Sequence, residues 1–181
     1  SQRTGNFPGV TVEKKVGTLD LGHLRLDLID LPGTYSLAAN SPDEIVATDV
    51  LLGQQEGTTP PDLVIVVADA SNLERNLYLT TQVLECSLPV ILVLNMYDLA
   101  VADGLEINTD LLSRELGCQV VPVIANKGEG INELQETIEQ CLEKDPSVFH
   151  LQLGAPVEDG IHQLLNFFND CSDQLIAPIH R

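Results

Sequence analysis

Basic side chains are scarce in this chain: 9 Lys and Arg stand against 27 Asp and Glu, for a net charge of −18. Nucleic-acid binding needs clustered Lys and Arg to neutralise phosphates, so this balance argues against DNA or RNA as a partner. It also argues against docking on an anionic lipid surface. Tryptophan is absent, Met occurs once and aromatic residues make up 4% of the chain. The core must therefore come from Val, Ile and Leu, and the 44% hydrophobic content fits a folded globule of one domain with a small appendage. Cys86, Cys118, Cys141 and Cys171 show no C-x-x-C spacing, which argues against a disulfide framework or zinc site and for reduced, mostly buried thiols. No apolar stretch approaches the ~18 residues that span a bilayer. The first residues have neither a signal-peptide pattern nor an initiating Met, so the chain is expected to be cut from something longer. Also missing is any G-x-x-x-x-G-K-[S/T], the loop that cradles phosphates.

What is present is an alternation of strand and helix patterns. Leu24, Leu26 and Leu28 alternate with Arg25 and Asp27, predicting a half-buried strand. Residues 63–68, 90–94 and 120–125 are continuously apolar, the last broken by Pro122, as expected of parallel strands covered on both faces. A Pro-Gly turn at the front leads into a strand predicted over 11–16. Ser41-Pro42-Asp43-Glu44 and Ser71-Asn72-Leu73-Glu74 each offer a capping box for a helix. Cys86 is placed in the second of these helices. Asn108 or Thr109 opens a third helix that Gly117 stops, and residues 131–142 form a fourth. The pattern predicts a doubly wound α/β domain over 1–145, with a mostly parallel sheet and helices on both faces. Lys144-Asp145-Pro146 breaks the last helix, and residues 146–181 are read as the start of a separate helical domain.

Two tetrapeptides fall where strand patterns end. Asp30-Leu31-Pro32-Gly33 follows the first strand, and Asn95-Met96-Tyr97-Asp98 follows the 90–94 run. Ligands of open α/β sheets bind just beyond the carboxyl ends of the strands. Asp30 there can hold a Mg²⁺-bound water, and Gly33 can offer its N–H to a terminal phosphate with no Cβ in the way. The Asp98 carboxylate can accept from both N1–H and the exocyclic amine of guanine, a donor pair that adenine lacks. Asn95 can tether neighbouring loops. Backbone N–H groups of the turn at 125–130 can reach the guanine O6. Taken singly, each motif is also a common turn or cap; their joint order and spacing is that of a GTPase. With so few basic residues, a nucleotide would be held by Mg²⁺ and backbone N–H groups.

Gly5-Asn6-Phe7-Pro8-Gly9-Val10-Thr11-Val12-Glu13, Asp30-Leu31-Pro32-Gly33-Thr34-Tyr35-Ser36-Leu37, Asn95-Met96-Tyr97-Asp98 and the Ile-Ala-Asn-Lys-Gly-Glu-Gly-Ile turn at 124–131 together closely resemble the cytosolic G domain of the FeoB family, ferrous iron transport protein B. The match covers roughly 1–145. The resemblance implies a Ras-like P-loop GTPase fold that binds GTP and GDP and hydrolyses GTP slowly. It places the domain at the cytoplasmic face of the bacterial inner membrane, with the transporter's own membrane domain and other copies of itself as partners. It makes Thr11 the Mg²⁺ ligand of switch I, and Asp30 and Gly33 the Mg²⁺ and γ-phosphate residues of switch II. Asn95, Met96 and Asp98 read the base, and Ala125 with Asn126 backs it. K⁺ would be coordinated by carbonyls near Gly5 and Phe7. The family's P-loop is expected upstream of Ser1, so the 181 residues on their own are expected to bind GTP weakly or not at all. Thr34 stands where many small GTPases carry a water-orienting Gln and is too short for that role. A non-catalytic interaction domain that kept the fold but lost nucleotide binding is the alternative. A ribosome-assembly GTPase is disfavoured by Met96 and the charge.

Overall fold

The computed structural model describes residues 2–8, 12–38, 41–55 and 58–143. Thr11 and the appendage expected over 146–181 lie outside the described residues.

Strands β1 (Gln2–Asn6), β2 (Glu13–Asp20) and β3 (Arg25–Asp30) form an antiparallel sheet in that order. Helix α1 (Pro42–Leu51) follows. Strands β4 (Val64–Asp69), β5 (Val90–Asn95) and β6 (Gln119–Pro122) then form a parallel sheet with β5 in the middle. Between them run α2 (Leu73–Leu84), α3 (Tyr97–Ala102) and α4 (Thr109–Leu116), and α5 (Ile131–Glu143) closes the described chain.

The parallel sheet has helices on both faces. Val90, Leu92 and Leu94 of β5 point into a core shared with Val83 of α2, Ala100 of α3 and Leu112 and Leu116 of α4. Ile91 and Val93 point the other way, against Ile138 and Cys141 of α5 and Leu26 of β3. With both faces covered, Val90, Ile91, Leu92 and Leu94 have no exposed surface. That is why β5 reads as an unbroken apolar run rather than an alternating one. The edge strand β4 differs, since Val67 keeps 63% of its surface exposed. A third cluster joins Phe7, Val46 and Val50 to Ile29 and Leu31, seating α1 on the antiparallel sheet.

The sequence predicted a mostly parallel sheet; the chain pairs two strand pairs in parallel and two in antiparallel. The added antiparallel strand is β1, whose Gln-Arg-Thr-Gly-Asn carries no apolar run and is held by its ladder with β2. The front strand begins at Glu13, not at residue 11, and continues to Asp20. The box at Ser41 forms as read, with Ser41 accepting from the Glu44 N–H and Glu44 accepting from the Ser41 N–H. The box at Ser71 does not form. Ser71 donates its hydroxyl to Asp69 Oδ1 at 2.7 Å, so a 3₁₀ turn over Ala70–Asn72 precedes α2 and Asn72 caps it without a side-chain bond. Asn108 caps α4 and Gly117 ends it at φ 69°. Cys86 lies just past α2, its N–H donating to the Val83 carbonyl.

Candidate functional site

Parallel pairing brings the carboxyl ends of β4, β5 and β6 to one edge, with Asp69 and Asn95 as register partners. Two turns leave this edge. The first begins at Met96, which adopts the left-handed conformation (φ 56°) and breaks the strand abruptly into α3. Such a conformation costs a non-glycine residue about 1 kcal/mol or more, and it places Asp98 in the first turn of α3. The second follows β6: a 3₁₀ turn over Ala125–Lys127, closed by Gly128 at φ 72° and by the bridge between Ile124 and Glu129. Gly130 (φ 79°) packs so closely on the Pro122 carbonyl that no Cβ fits.

These turns are bonded to each other. The Ala125 N–H donates to Asn95 Oδ1 at 3.1 Å, the Val123 N–H to the Leu94 carbonyl at 2.8 Å, and the Tyr97 N–H to the Val123 carbonyl at 3.4 Å. The Asp98 carboxylate sits beside the second turn, where Lys127 Nζ approaches Oδ2 to 2.7 Å. The Lys127 hydrogen bond holds the Asp98 carboxyl below the usual carboxylate range, and the same bond raises the lysine. Asp98 is thus an ionised acceptor at neutral pH, about 30% exposed. Ala125 and Asn126 lie exposed on the facing turn, and Met96 is 37% exposed at the rim.

Asp30 ends β3 of the antiparallel sheet, and Gly33 lies in the segment that follows. Asp30 is exposed at the end of β3, and a Cβ added to Gly33 would meet no atom within 4 Å. The hydrogen bonds of the segment after Gly33 run to α1 and α2 rather than to the Asn95–Asp98 turn. Leu37 donates its N–H to Gln82 Oε1 at 3.0 Å, and its carbonyl accepts from Thr48 Oγ1. Arg75 of α2 stacks 3.9 Å over the Tyr35 ring. Thr34 Oγ1 is committed to the Ser36 backbone, donating to its carbonyl and accepting from its N–H. That hydroxyl is tied into a local turn, which leaves it poorly suited to orienting a water.

At the front, Gly5 lies in β1 and Phe7 just beyond, its N–H donating to the Val12 carbonyl. Both this segment and β2 are tied to the residues after α1: Gln55 Nε2 donates to the Pro8 carbonyl at 3.3 Å, and Lys14 Nζ of β2 to Thr58 Oγ1 at 3.0 Å. Arg75, Gln82 and Gln55 carry no signal of these roles in the sequence, because their partners lie far along the chain. Lys127 was visible only as part of a glycine turn.

Among the described residues no group of three His, Cys, Asp or Glu could hold a metal unaided. The exposed Asp30 carboxylate is a hard oxygen donor of the type Mg²⁺ takes when phosphates and waters complete its shell.

The family model described as ferrous iron transport protein B matches residues 1–138. The Fe(2+) transporter FeoB of Legionella pneumophila (strain Paris) is 42% identical over 182 aligned positions, covering 98% of this chain and 22% of its own length. The cytosolic domain of the T. maritima FeoB iron transporter in its GMPPNP form is 41% identical with a TM-score of 0.77, covering 93% of this chain and 65% of that one. The FeoB G-domain from Methanococcus jannaschii is 43% identical with a TM-score of 0.67, covering 76% and 85%. The chain thus spans about a fifth of the curated relative's length, and it belongs to the ferrous iron transport protein B family, whose G-domain fold it shares.

Proposed function

We propose that this chain is the guanine-nucleotide-binding part of a ferrous iron transporter, and that the intact protein hydrolyses GTP at the cytoplasmic face of its membrane. The observation that carries this is the Asn95–Ala125 hydrogen bond. It fastens the turn bearing Asp98 to the turn bearing Ala125 and Asn126 at the carboxyl edge of the parallel sheet. A guanine seated there would place N1–H and its exocyclic amine on Asp98 and its O6 on backbone N–H groups of the facing turn. Relatives crystallised in GMPPNP and GDP forms support it.

Asp30, through water, and Thr11 would hold Mg²⁺, which would supply positive charge against that developing on the phosphates. Gly33 would meet the γ-phosphate with its N–H, and the open space over it admits an oxygen. Loss of that phosphate would be felt by residues 34–37 and passed to α2 through the Leu37–Gln82 and Tyr35–Arg75 contacts. Carbonyls of Gly5 and Phe7 are the candidates for K⁺. The membrane domain of the same protein is the proposed partner.

Titration of the intact protein with a fluorescent GDP analogue, with GTP and ATP as competitors, tests the proposal. Competition by GTP and not by ATP is expected; equal competition by both, or no binding, refutes it. No binding by the intact protein would favour the second reading, an interaction domain without nucleotide.

A further inference from the structure

The Lys127–Asp98 contact does not follow from nucleotide binding. Its 2.7 Å separation contrasts with 3.7–3.8 Å in the other three ion pairs among the described residues. It is also anchored from behind. Lys127 ends the 3₁₀ turn that Gly128 closes, that the Ile124–Glu129 bridge pins and that Asn95 grips through Ala125. The clamp that joins the two turns therefore also delivers the ammonium to the carboxylate. A carboxylate that reads guanine uses both oxygens toward the paired donors of the base, and Lys127 already donates to Oδ2.

We propose that Lys127 is an internal stand-in for the donor edge of guanine: it and the base compete for Asp98, and its displacement limits nucleotide capture. This rests on the guanine reading of Asp98 given above. Lys127 is thus a residue that sets affinity without contributing a contact to the bound base.

The test is stopped-flow capture of a fluorescent GDP analogue by the intact protein, comparing wild type with Lys127→Met, Lys127→Gln and Lys127→Arg. Methionine keeps the apolar stem and removes the charge. Exposed ion pairs are weak, so the expected effect is modest: Lys127→Met and Lys127→Gln capture nucleotide about two- to five-fold faster and bind it correspondingly tighter. Lys127→Arg stays near wild type, and the gap narrows as NaCl rises and screens the pair. Capture that is unchanged or slower in both uncharged variants overturns the proposal while leaving guanine recognition intact. No binding by wild type and variants alike overturns both.

Discussion

Asn95 and Ala125 meet across two separate strand ends, the amide oxygen of one accepting the backbone N–H of the other at 3.1 Å. Removing the oxygen in Asn95→Ala leaves the N–H without its partner and unfastens the two turns. A single hydrogen bond contributes about 1 kcal/mol, so the melting temperature should fall by about 2–4 °C. On the proposed function both turns would face the base, so nucleotide affinity should fall by roughly tenfold or more. Asn95→Asp keeps an acceptor and should retain most of the thermal stability. Differential scanning fluorimetry without nucleotide separates the two effects, and equal melting of Asn95→Ala and wild type would contradict the tether.

Two glycines should respond oppositely to alanine. Gly130→Ala puts a Cβ against the Pro122 carbonyl at a left-handed backbone position, and should destabilise the protein by about 2 kcal/mol or more in denaturant unfolding. Gly33 has open space around it. Gly33→Ala should change stability by less than about 0.5 kcal/mol while reducing discrimination of GTP from GDP.

The strap between residues 34–37 and α2 can be cut from the helix side. Gln82→Ala removes the acceptor for the Leu37 N–H, and Arg75→Ala removes the guanidinium over Tyr35. Amide exchange of residues 35–38 should accelerate several-fold in either variant and further in the double variant, with β5 unchanged. Unaltered exchange in the double variant would show that the segment is held by other contacts.

The Asp98–Lys127 pair should be insensitive to pH near neutrality. Asp98 titrates below its ordinary range, so its contribution is present above about pH 4 and is lost as pH falls through the lowered value. Lys127 titrates above its ordinary value, so its contribution is complete below about pH 10 and is lost as pH rises through the raised value. The ratio of capture rates between Lys127→Met and wild type should therefore stay flat from about pH 5 to 9.

Burial pushes the Cys118 thiol up to about 11 and raises Cys86 less. Under mild alkylation at pH 8, peptide mass spectrometry should find Cys86 modified well before the buried Cys118, the thiolate being the reactive form. Faster modification of Cys118 than of Cys86 would contradict its burial.

Residues whose role depends on local chemistry were legible in the sequence. The apolar run of β5, the Ser41 cap, the Asn108 cap and the Gly117 stop all form where their residue types place them. The order of the two tetrapeptides, each at a strand end, is legible without any tertiary contact. What stayed hidden depends on partners distant in the chain. β1 has no apolar pattern and exists through its ladder. Ser71 lost its capping role because Asp69, two residues earlier, claimed its hydroxyl. Gln82 and Arg75 gain meaning only when α2 folds beside the segment after Gly33.

On the proposed function Asp98 selects guanine by accepting from its paired donors, so Asp98→Asn should change which base is bound. The amide can donate to the C2 carbonyl of xanthine but cannot accept both donors of guanine. Competition binding with the intact protein should show Asp98→Asn losing affinity for GTP by roughly ten- to hundredfold while gaining xanthosine triphosphate. Undiminished GTP affinity in Asp98→Asn would contradict the account.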